Sequence, residues 1–305
     1  MESILITGCN GFVGNKLKRE LAKKNKVYGF DIDKENTHTK FKHRNFKFYK
    51  KDLTLKSTYE LIKKIKIDKI IHLSAVSTDK LFNSDPIGSF NNNLSSTLNL
   101  LSFASQKKCK NFIFASSEWG YGNDNGKKSL LERNLIDRTK VTSGYGVSKL
   151  MGEDLIINFY NNKKISRYTI LRFGIIFGPR PRPASAVEGL MMETKYNDVI
   201  KINGSKNSGR TFIYIDDLVS GLQAVVKKNI IGVFNLCNDK LYTLEDIVNF
   251  SNKLFKLNKK ISVLNRSKPV TRYNSNKKFK KYFKWKPRFN MEKALKNLVT
   301  KVDYV

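Results

Sequence analysis

The first half of the chain alternates short apolar runs with longer stretches whose apolar residues recur at helical spacing. This alternation is typical of a parallel β-sheet whose strands are joined by helices. The pattern predicts strands at residues 3–7, 26–31, 46–49, 69–73, 111–116 and 168–173, and helices at residues 15–24, 89–106 and 146–161. We therefore expect an α/β fold with a doubly wound parallel sheet.

Three glycines, Gly8, Gly11 and Gly14, follow the first predicted strand at three-residue spacing. A strand that turns through such a loop into a helix brings backbone N–H groups and the positive helix end against a dinucleotide diphosphate. The first glycine permits the tight turn, the second lets the backbone approach the phosphates, and the third lets the helix pack on the strand. The sequence therefore predicts a Rossmann-type nucleotide-binding lobe.

The pattern changes after Gly178-Pro179. Residues 180–208 are polar and rich in turn formers, and residues 240–305 mix helical and extended signals, whereas residues 232–236 again resemble a strand of the sheet. We therefore expect a nucleotide-binding lobe at residues 1–179, with returns near 210–236. A smaller, discontinuous C-terminal substrate lobe would comprise residues 180–209 and 237–305.

Composition narrows the class of protein. No apolar run approaches the ~18 residues that a membrane span needs, and the chain opens on a strand instead of a signal peptide. Cys9, Cys109 and Cys237 show no metal-ligand spacing and are interpreted as free thiols of a reducing compartment. We expect a soluble, cytoplasmic protein with no membrane or metal partner.

The formal net charge of +32 raises the possibility of a nucleic-acid partner. Of the 58 basic residues only 12 are Arg, and the lysines are scattered without a concentrated arm or an aromatic-rich stripe. Lys, Asn and Ile, all abundant here, have AT-rich codons, so genome composition can produce this bias. A solvated lysine surface is the favoured interpretation.

Tyr145 and Lys149 lie four residues apart at the start of a predicted helix, so both side chains project from one face. An ammonium favours the phenolate, and lowering a tyrosine pKa from ~10 to ~7 takes about 4 kcal/mol, which a partly desolvated lysine and a cationic nicotinamide ring could supply. The spacing alone is weak, because it occurs five times, at Tyr59/Lys63, Tyr145/Lys149, Tyr160/Lys164, Tyr273/Lys277 and Tyr282/Lys286.

Among the five pairs, the neighbouring sequence favours Tyr145 as the candidate acid/base residue. It follows the fifth predicted strand at a suitable interval and has small neighbours that leave room for a ligand. Ser117 closes that strand at the carboxyl edge of the sheet, where open α/β folds place ligand groups. Its hydroxyl can bond both a substrate hydroxyl and the Tyr145 oxygen.

At this point the chain resembles the extended short-chain dehydrogenase/reductase family, in its nucleotide-sugar epimerase/dehydratase branch. The resemblance covers nearly the whole length and depends on residues 7–14, Asp52-Leu53, residues 72–75, Asn93, Ser117, Tyr145, Lys149, residues 171–172, 177–179 and 210–217, Phe234-Asn235-Leu236 and Trp285-Lys286-Pro287.

The resemblance implies NAD as the cofactor. Asp31 would take the adenosine ribose hydroxyls, and its charge would repel the 2′-phosphate of NADP. Asp52 and Leu53 would frame the adenine, and Lys149 would hold the nicotinamide ribose beside Tyr145. The remaining implied cofactor contacts are Gly8, Asn10, Gly11, Phe12, Val13, Gly14, Leu73, Ser74, Ala75 and Asn93, although Asn93 stands in a run of three asparagines whose register could slip by one.

The implied substrate is a nucleotide-activated sugar, bound by Ser117, Glu118, Tyr145, Arg180 and Arg210. Arg210 resembles the family's clamp on the diphosphate, and Arg180 is a candidate phosphate contact in a proline-rich loop. Trp119 stands where dehydratases and decarboxylases of the family carry a second carboxylate, which argues against 4,6-dehydration. Ile175 replaces an asparagine that contacts the substrate diphosphate in many relatives.

The resemblance therefore implies an NAD-dependent sugar-nucleotide epimerase, acting by hydride transfer through a keto intermediate, with a role in polysaccharide synthesis. A 4-keto-sugar reductase or a dehydratase of the same family remains an alternative. An RNA-binding relative is the alternative without catalysis, and the intact Ser117, Tyr145 and Lys149 set argues against it. The resemblance also implies a homodimer.

Overall fold

The protein is an α/β structure with a central parallel sheet, described for residues 1–60, 62–123 and 128–302 of a computed structural model. In chain order the strands are β1 (Ser3–Thr7), β2 (Lys26–Asp31), β3 (Phe46–Lys50), β4 (Lys69–His72), β5 (Asn111–Ser117), β6 (Tyr168–Phe173), β7 (Ile176–Phe177), β8 (Val199–Asn203), β9 (Gly209–Arg210), β10 (Ile213–Tyr214), β11 (Gly232–Leu236), β12 (Tyr242–Thr243), β13 (Lys260–Leu264) and β14 (Thr271–Arg272).

The helices are α1 (Phe12–Ala22), α2 (Ser57–Glu60), α3 (Asp79–Ser84), α4 (Pro86–Gln106), α5 (Gly144–Asn161), α6 (Ala186–Tyr196), α7 (Ile215–Lys228), α8 (Leu244–Phe255), α9 (Lys277–Phe283) and α10 (Met291–Val299). Short 3-10 turns occupy Glu118–Tyr121 and Arg138–Lys140. Within the described residues, none of the helices combines the length and apolar character that a membrane crossing requires.

Seven strands form the central sheet in the order β11-β6-β5-β4-β1-β2-β3. All six strands predicted in the first half, and the predicted returning strand at residues 232–236, belong to it. Strand β1 pairs in parallel with β2 on one side and with β4 on the other. Strands β2 and β3 are thus added on one side of β1, and the later strands are added on its other side. In open α/β sheets the ligand crevice lies at the carboxyl ends of the strands where this order switches.

Helix starts were predicted a few residues late. α4 begins at Pro86, because Asp85 caps it by accepting a hydrogen bond from the Gly88 amide and proline suits the first helical position. α5 begins at Gly144, because the Ser143 hydroxyl accepts from the Gly146 amide. α1 likewise begins at residue 12 rather than 15.

The chain divides into two compact units. The first comprises residues 1–120, 141–172 and 222–234, and its core lies between the sheet and the helices, with side chains such as Leu5, Phe30, Ile70, Leu100 and Phe112 almost fully buried. Each such side chain contributes about 1.5–3 kcal/mol to the free energy of unfolding.

The second unit comprises residues 121–140, 173–221 and 235–305. Residues 121–140, expected from the sequence in the first lobe, cluster here because buried Asn235 connects them with the C-terminal part. Its side chain bonds the Tyr121 hydroxyl at 2.8 Å and the Ser275 carbonyl at 3.0 Å, and its amide donates to Glu132. The predicted nucleotide and substrate roles of the two lobes stay predictions.

Residues 180–208 are more regular than their composition predicts, since they contain α6 and β8. The reason is a capping box: the Ser185 side chain accepts from the Glu188 amide, and the Glu188 carboxylate accepts from the Ser185 amide. Glu188 is fully buried and also accepts from the amides of Gly178 and Ala184. The turn-rich composition reflects this tightly bonded loop.

Candidate active site

The glycine-rich loop has the geometry that its spacing predicts. Gly8 has a φ of +66°, and a Cβ atom there would lie 2.8 Å from the Ser74 amide nitrogen. A Cβ atom on Gly14 would lie 2.0 Å from the Gly8 carbonyl oxygen, so no other residue lets α1 pack this closely on the loop. The loop ends at Gly11, and α1 directs its amino end toward it. This arrangement fits a bound diphosphate.

Asp31 lies beside this loop at the end of β2. One carboxylate oxygen accepts from the Asn10 amide at 2.8 Å, and the other accepts from the Asp33 amide at 3.1 Å. The Asn10 side chain also donates to the Asp33 carbonyl at 3.0 Å. The structure thus brings Asn10 and Asp31 together, and the role of Asp31 toward an adenosine ribose stays a prediction.

Lys18 was not identified from the sequence, although it belongs to the same cluster. Its ammonium group is fully buried and donates to the Asn10 side chain at 2.9 Å, to Glu35 at 3.1 Å and to the Thr39 carbonyl at 2.7 Å. The available signal was its position between Leu17 and Leu21 on the apolar face of α1. Lys18 thereby fixes the side chain of a glycine-loop residue.

Asp52 and Leu53 follow β3. The Asp52 carboxylate accepts from the amide and the hydroxyl of Thr54 at 2.9 and 2.7 Å, so it stabilises its own turn. Leu53 is buried, and its carbonyl accepts from the Tyr59 hydroxyl and the Asn99 side chain. Their roles beside an adenine stay predictions.

The loop after β4 carries Leu73, Ser74 and Ala75. The Thr7 hydroxyl accepts from the amides of Leu73 and Ser74 at 3.2 and 3.3 Å, which ties this loop to the end of β1. Buried His72 precedes the loop, with ring nitrogens 2.8 Å from the Thr7 hydroxyl and 3.1 Å from the Thr97 hydroxyl. Its burial, together with the charge of Lys149, lowers the pKa of His72 to about 3, so the ring is neutral.

Asn93 is the buried member of the asparagine run, and its role as a cofactor contact stays a prediction. Its side chain accepts from the Val76 amide at 2.8 Å and donates to the Val76 carbonyl at 3.1 Å and the Ser148 hydroxyl at 3.0 Å. Ser148 in turn donates to the Tyr145 carbonyl at 2.8 Å. Asn93 therefore connects α4, the loop after β4 and the first turn of α5.

Ser117, Tyr145 and Lys149 come together in the first unit. Ser117 is the last residue of β5, and its hydroxyl accepts from the Trp119 amide at 3.3 Å and lies near Tyr145, the second residue of α5. Lys149 follows one helical turn later, 97% buried, with its ammonium 5.6 Å from the centre of the Tyr145 ring and 4.7 Å from that of Phe114. Among the described residues it has no hydrogen-bond partner.

From the sequence we expected Lys149, aided by a cationic nicotinamide ring, to lower the pKa of Tyr145, and this stays a prediction for the complex with the cofactor. Burial raises the pKa of Tyr145 to about 12, and the nearby Ser117 hydroxyl acts against this rise. Burial also lowers the pKa of Lys149 to about 7, although the charge of Glu153 favours the ammonium. Desolvation penalises both charged forms more than the pair gains in mutual attraction.

Glu153 is a second residue that was not identified from the sequence. It is buried and forms a bidentate ion pair with Arg172, at 3.0 and 2.7 Å, and it accepts a hydrogen bond from Ser116. The signal was present, because Glu153 lies four residues beyond Lys149 on the same helical face. The ion pair connects α5 to strands β5 and β6 behind the candidate catalytic residues.

The three remaining predicted substrate residues are differently placed. Glu118 follows Ser117 in the first unit and has no exposed surface. Arg180 and Arg210 lie in the second unit. Arg180 donates to buried Glu188 at 2.9 Å and to the Ile176 carbonyl at 3.0 Å, and Arg210 donates to the carbonyls of Gly209 and Val270 at 2.7 and 2.5 Å. Both guanidinium groups therefore stabilise loops.

No group of His, Cys, Asp or Glu within the described ranges could hold a metal ion. The three cysteines, Cys9, Cys109 and Cys237, are buried, and none of them forms a disulfide. Burial raises the pKa values of Cys9 and Cys109 to about 12, so these thiols are unreactive at neutral pH.

The model of the "NAD dependent epimerase/dehydratase family" matches residues 4–237. The chain belongs to this family. It is therefore a member of a family of NAD-dependent enzymes that act on sugar nucleotides. The candidate site falls within the matched residues, except for the C-terminal contacts of Arg210.

Two curated relatives illustrate the range of the family. A UDP-glucuronate 4-epimerase of Thermodesulfobacterium geofontis is 28% identical over 312 residues, covering 97% of this chain and 94% of that protein. A dTDP-D-glucose 4,6-dehydratase of Dictyostelium discoideum is 31% identical over 273 residues, and the alignment covers 82% of this chain but only 62% of the dehydratase.

Among solved structures, the UDP-glucuronic acid 4-epimerase of Bacillus cereus in complex with UDP-glucuronic acid and NAD superposes with a TM-score of 0.83. It is 26% identical, and the alignment covers 98% of each chain. Family membership and the Rossmann-type fold predicted from the sequence are thus confirmed.

Proposed function

We propose that this chain is an NAD-dependent epimerase of nucleotide-activated sugars. The observation that carries the proposal is the placement of Ser117, at the end of β5, near Tyr145, with Lys149 one helical turn later and its ammonium 5.6 Å from the centre of the Tyr145 ring. A sugar hydroxyl placed against these two oxygens has a hydrogen-bond donor and a proton acceptor in reach. These three residues form the catalytic set of the proposal.

Epimerisation removes a hydride from a sugar carbon and returns it to the opposite face, so the reaction is redox-neutral overall. NAD, when bound, supplies the hydride acceptor and then the hydride donor. Tyr145 takes the proton of the sugar hydroxyl as the C–H bond breaks, and it gives that proton back when the C–H bond forms again. Ser117 holds the sugar oxygen against Tyr145 throughout.

Tyr145 must ionise before it can accept a proton. Bringing its pKa from about 12 to neutral pH requires about 7 kcal/mol of preferential phenolate stabilisation. We infer that ligand binding provides this stabilisation. A cationic ring beside Tyr145 favours the phenolate, and the phenolate in turn favours the protonated form of Lys149.

The residues present fit the cofactor. The positive φ of Gly8 and the close packing of Gly14 leave backbone groups of the loop and the start of α1 for a diphosphate. Asp31 lies within a hydrogen bond of Asn10 in that loop and would accept from the ribose hydroxyls. A 2′-phosphate would bring negative charge to this carboxylate, which favours NAD over NADP.

Epimerisation is favoured over 4,6-dehydration, although both activities are named among the relatives. Dehydration needs an additional acid near the catalytic serine. Trp119 occupies the place of one such carboxylate, and Glu118 is fully buried. The proposed substrate class is a nucleoside-diphosphate sugar whose diphosphate contacts Arg210. UDP-glucuronate and UDP-glucose are the first compounds to test, while Ile175 leaves the nucleoside open.

The experiment identifies small molecules released from the purified protein and then follows each sugar nucleotide by NMR. We expect bound NAD, interconversion of two sugar epimers, and no net change in NADH. Net consumption of NAD(P)H would instead identify a reductase, and loss of water a dehydratase. Either result would overturn the epimerase proposal.

The control for Tyr145 lies on the same helix. Tyr145→Phe is expected to lower turnover by ~10²–10⁴-fold, as for loss of a general acid/base group, without lowering the NAD content. Tyr160 has the same spacing to a lysine, Lys164, and lies at the far end of α5. Tyr160→Phe should therefore retain full activity. Equal activity of both variants would remove Tyr145 from the mechanism.

We further infer a homodimer formed through α4 and α5, supported by two apolar side chains on these helices, Leu98 and Met151, which are 39% and 41% exposed. A cytoplasmic location is supported by the three unpaired buried cysteines. The sedimentation coefficient of the purified protein tests the homodimer. The proposed role in polysaccharide synthesis follows only from the substrate class.

A further inference from the structure

A cleft of about 560 Å³ lies at the edge of the central sheet, and the predicted cofactor and catalytic residues are not among its lining residues. It is lined by three phenylalanines, Phe41, Phe46 and Phe48. β3 is the outermost strand, and Phe46 and Phe48 alternate with Lys47, so both rings lie on one face of it. All three rings are partly exposed.

The aromatic side chains are arranged as a stacking surface. The rings of Phe41 and His43 are nearly parallel, with an angle of 9° and centres 5.7 Å apart. The Phe46 ring lies 5.4 Å from that of Phe41, and the Arg19 guanidinium lies 4.9 Å from the centre of the Phe41 ring. These contacts hold the rings in place, and the Lys18 ammonium also lies 5.2 Å from the centre of the Phe46 ring. The exposed parts of the rings can contact a planar ligand.

The segment that forms the cleft is strongly basic. Residues 40–51 contain six Lys or Arg residues and no Asp or Glu, and exposed Lys42 and Arg44 line the cleft itself. Its one acidic lining residue, Glu35, is paired with Lys18 at 3.1 Å. The expectation of scattered lysines without an aromatic-rich stripe is therefore wrong for this segment.

The cleft is separate from the predicted cofactor site. Phe46 and Phe48 pair with Val27 and Gly29 of β2, whereas Asp31 pairs with Lys50. At ~3.3 Å per residue, Phe46 lies roughly 13 Å from the level of Asp31, toward the amino ends of the strands. Phe48 lies about 7 Å from that level, so Phe46 is the more distant of the two strand rings from a nucleotide bound at the glycine loop.

We propose that this cleft binds single-stranded nucleic acid. Bases stack on the exposed rings, and backbone phosphates contact Lys42, Arg44 and the neighbouring cations, a combination that single-strand binding surfaces share. Duplexes keep their bases stacked inside and cannot use the rings. An acidic peptide could use the charges but has no row of planar groups for the phenylalanines. The aromatic contribution therefore distinguishes a single strand from other polyanions.

The test measures fluorescence anisotropy of a labelled 20-nucleotide oligouridine at fixed salt. Lys42→Glu combined with Arg44→Glu is expected to weaken binding at least tenfold and to reduce the slope of log affinity against log salt by about 1.4, at ~0.7 for each phosphate that is no longer neutralised. The control is Lys64→Glu combined with Lys66→Glu, which changes the net charge equally at two exposed lysines outside the cleft. It should weaken binding less than threefold.

Phe41→Leu and Phe48→Leu test the stacking separately, since leucine keeps the apolar contact and removes the π face. Each variant is expected to weaken oligonucleotide binding roughly fivefold or more, which corresponds to the lower end of the stacking free energy of one base. The melting temperature of each variant should be unchanged. Two variants are used so that misfolding of one does not decide the result. Saturating NAD should not displace the oligonucleotide, and Tyr145→Phe should bind it normally, so this proposal and the epimerase proposal fail independently.

Four results would overturn the proposal. They are equal affinity for a duplex of the same length, competition by polyglutamate at equal charge, an equal decrease in affinity for the control pair, and unchanged binding in both leucine variants. The first three would indicate general electrostatic attraction of a highly basic protein, and the fourth would remove the aromatic cleft from the interaction.

Discussion

Replacing Lys149 by methionine should stabilise the protein while abolishing turnover. The lysine is buried, has no hydrogen-bond partner among the described residues, and its pKa is lowered by burial from 10.5 to about 7. Methionine has a similar volume and no charge, so it keeps the packing against Phe114 and Tyr145 and removes the desolvated ammonium. An ordinary core lysine with partners would behave in the opposite way.

The pKa difference gives the magnitude and the pH dependence. A shift from 10.5 to about 7 corresponds to about 5 kcal/mol at pH values below both. The unfolded chain keeps the Lys149 proton up to pH 10.5, whereas the folded protein releases it near pH 7. Between these values the unfolded state binds more protons, so the stability of the parent protein rises with pH and the advantage of methionine declines.

Urea denaturation of both proteins at pH 6 and pH 10 measures this. We expect Lys149→Met to raise the free energy of unfolding by about 4–5 kcal/mol at pH 6 and by about 1 kcal/mol at pH 10. Lys69→Met is the control, because Lys69 is equally buried but bonds Glu2 at 2.7 Å and the Val226 carbonyl. That substitution leaves a carboxylate without its partner and should destabilise the protein.

A lower stability of Lys149→Met at pH 6, or a difference from the parent that does not change with pH, would refute the reasoning. The first result would mean that the ammonium has stabilising partners, and the second that its pKa is not lowered in the folded protein.

Three further predictions concern the cofactor site and the support behind it. Gly14→Ala should weaken NAD binding at least tenfold, measured by calorimetry, because the added Cβ atom would lie 2.0 Å from the Gly8 carbonyl oxygen. The control is Gly189→Ala, where a Cβ atom meets nothing within 4 Å; this variant should bind NAD normally and gain up to about 1 kcal/mol of stability. Glu153→Gln should lower the free energy of unfolding by about 3–5 kcal/mol, since it leaves the buried guanidinium of Arg172 uncompensated; a decrease below 1 kcal/mol in urea melts would contradict this. Asp31→Ser should raise the affinity for NADP relative to NAD, measured as the ratio of dissociation constants, and an unchanged ratio would remove Asp31 from ribose recognition.

Some elements could be predicted because their signals are local. The strand before Gly8 and the spacing to Gly14 define the loop, and the structure has the positive φ and the close packing that this spacing implies. Tyr145 and Lys149 share a helical face at their sequence separation alone. Helix α6 was missed although its signal, Ser185 followed by Glu188, was also local.

Other features depend on residues that are distant in sequence. Lys18 resembles a surface lysine in a basic chain, yet its ammonium is buried among acceptors contributed by Asn10, Glu35 and Thr39. Spacing places a lysine beside Tyr145, but only the fold shows that the surroundings of Tyr145 exclude water, and this burial raises its pKa. Neither burial nor the partners of a charge can be calculated from spacing.

The amino-acid sequence by itself determined the strands of the first half, the glycine-rich loop and the choice of Tyr145 and Lys149 as candidate acid/base residues, since periodicity, glycine conformation and helical spacing act over a few residues. Only the tertiary structure decided which charges are buried, which polar groups are hydrogen-bonded, and where the rings at the edge of β3 form a cleft. These properties arise from the distance and dielectric surroundings of groups that the fold alone brings together.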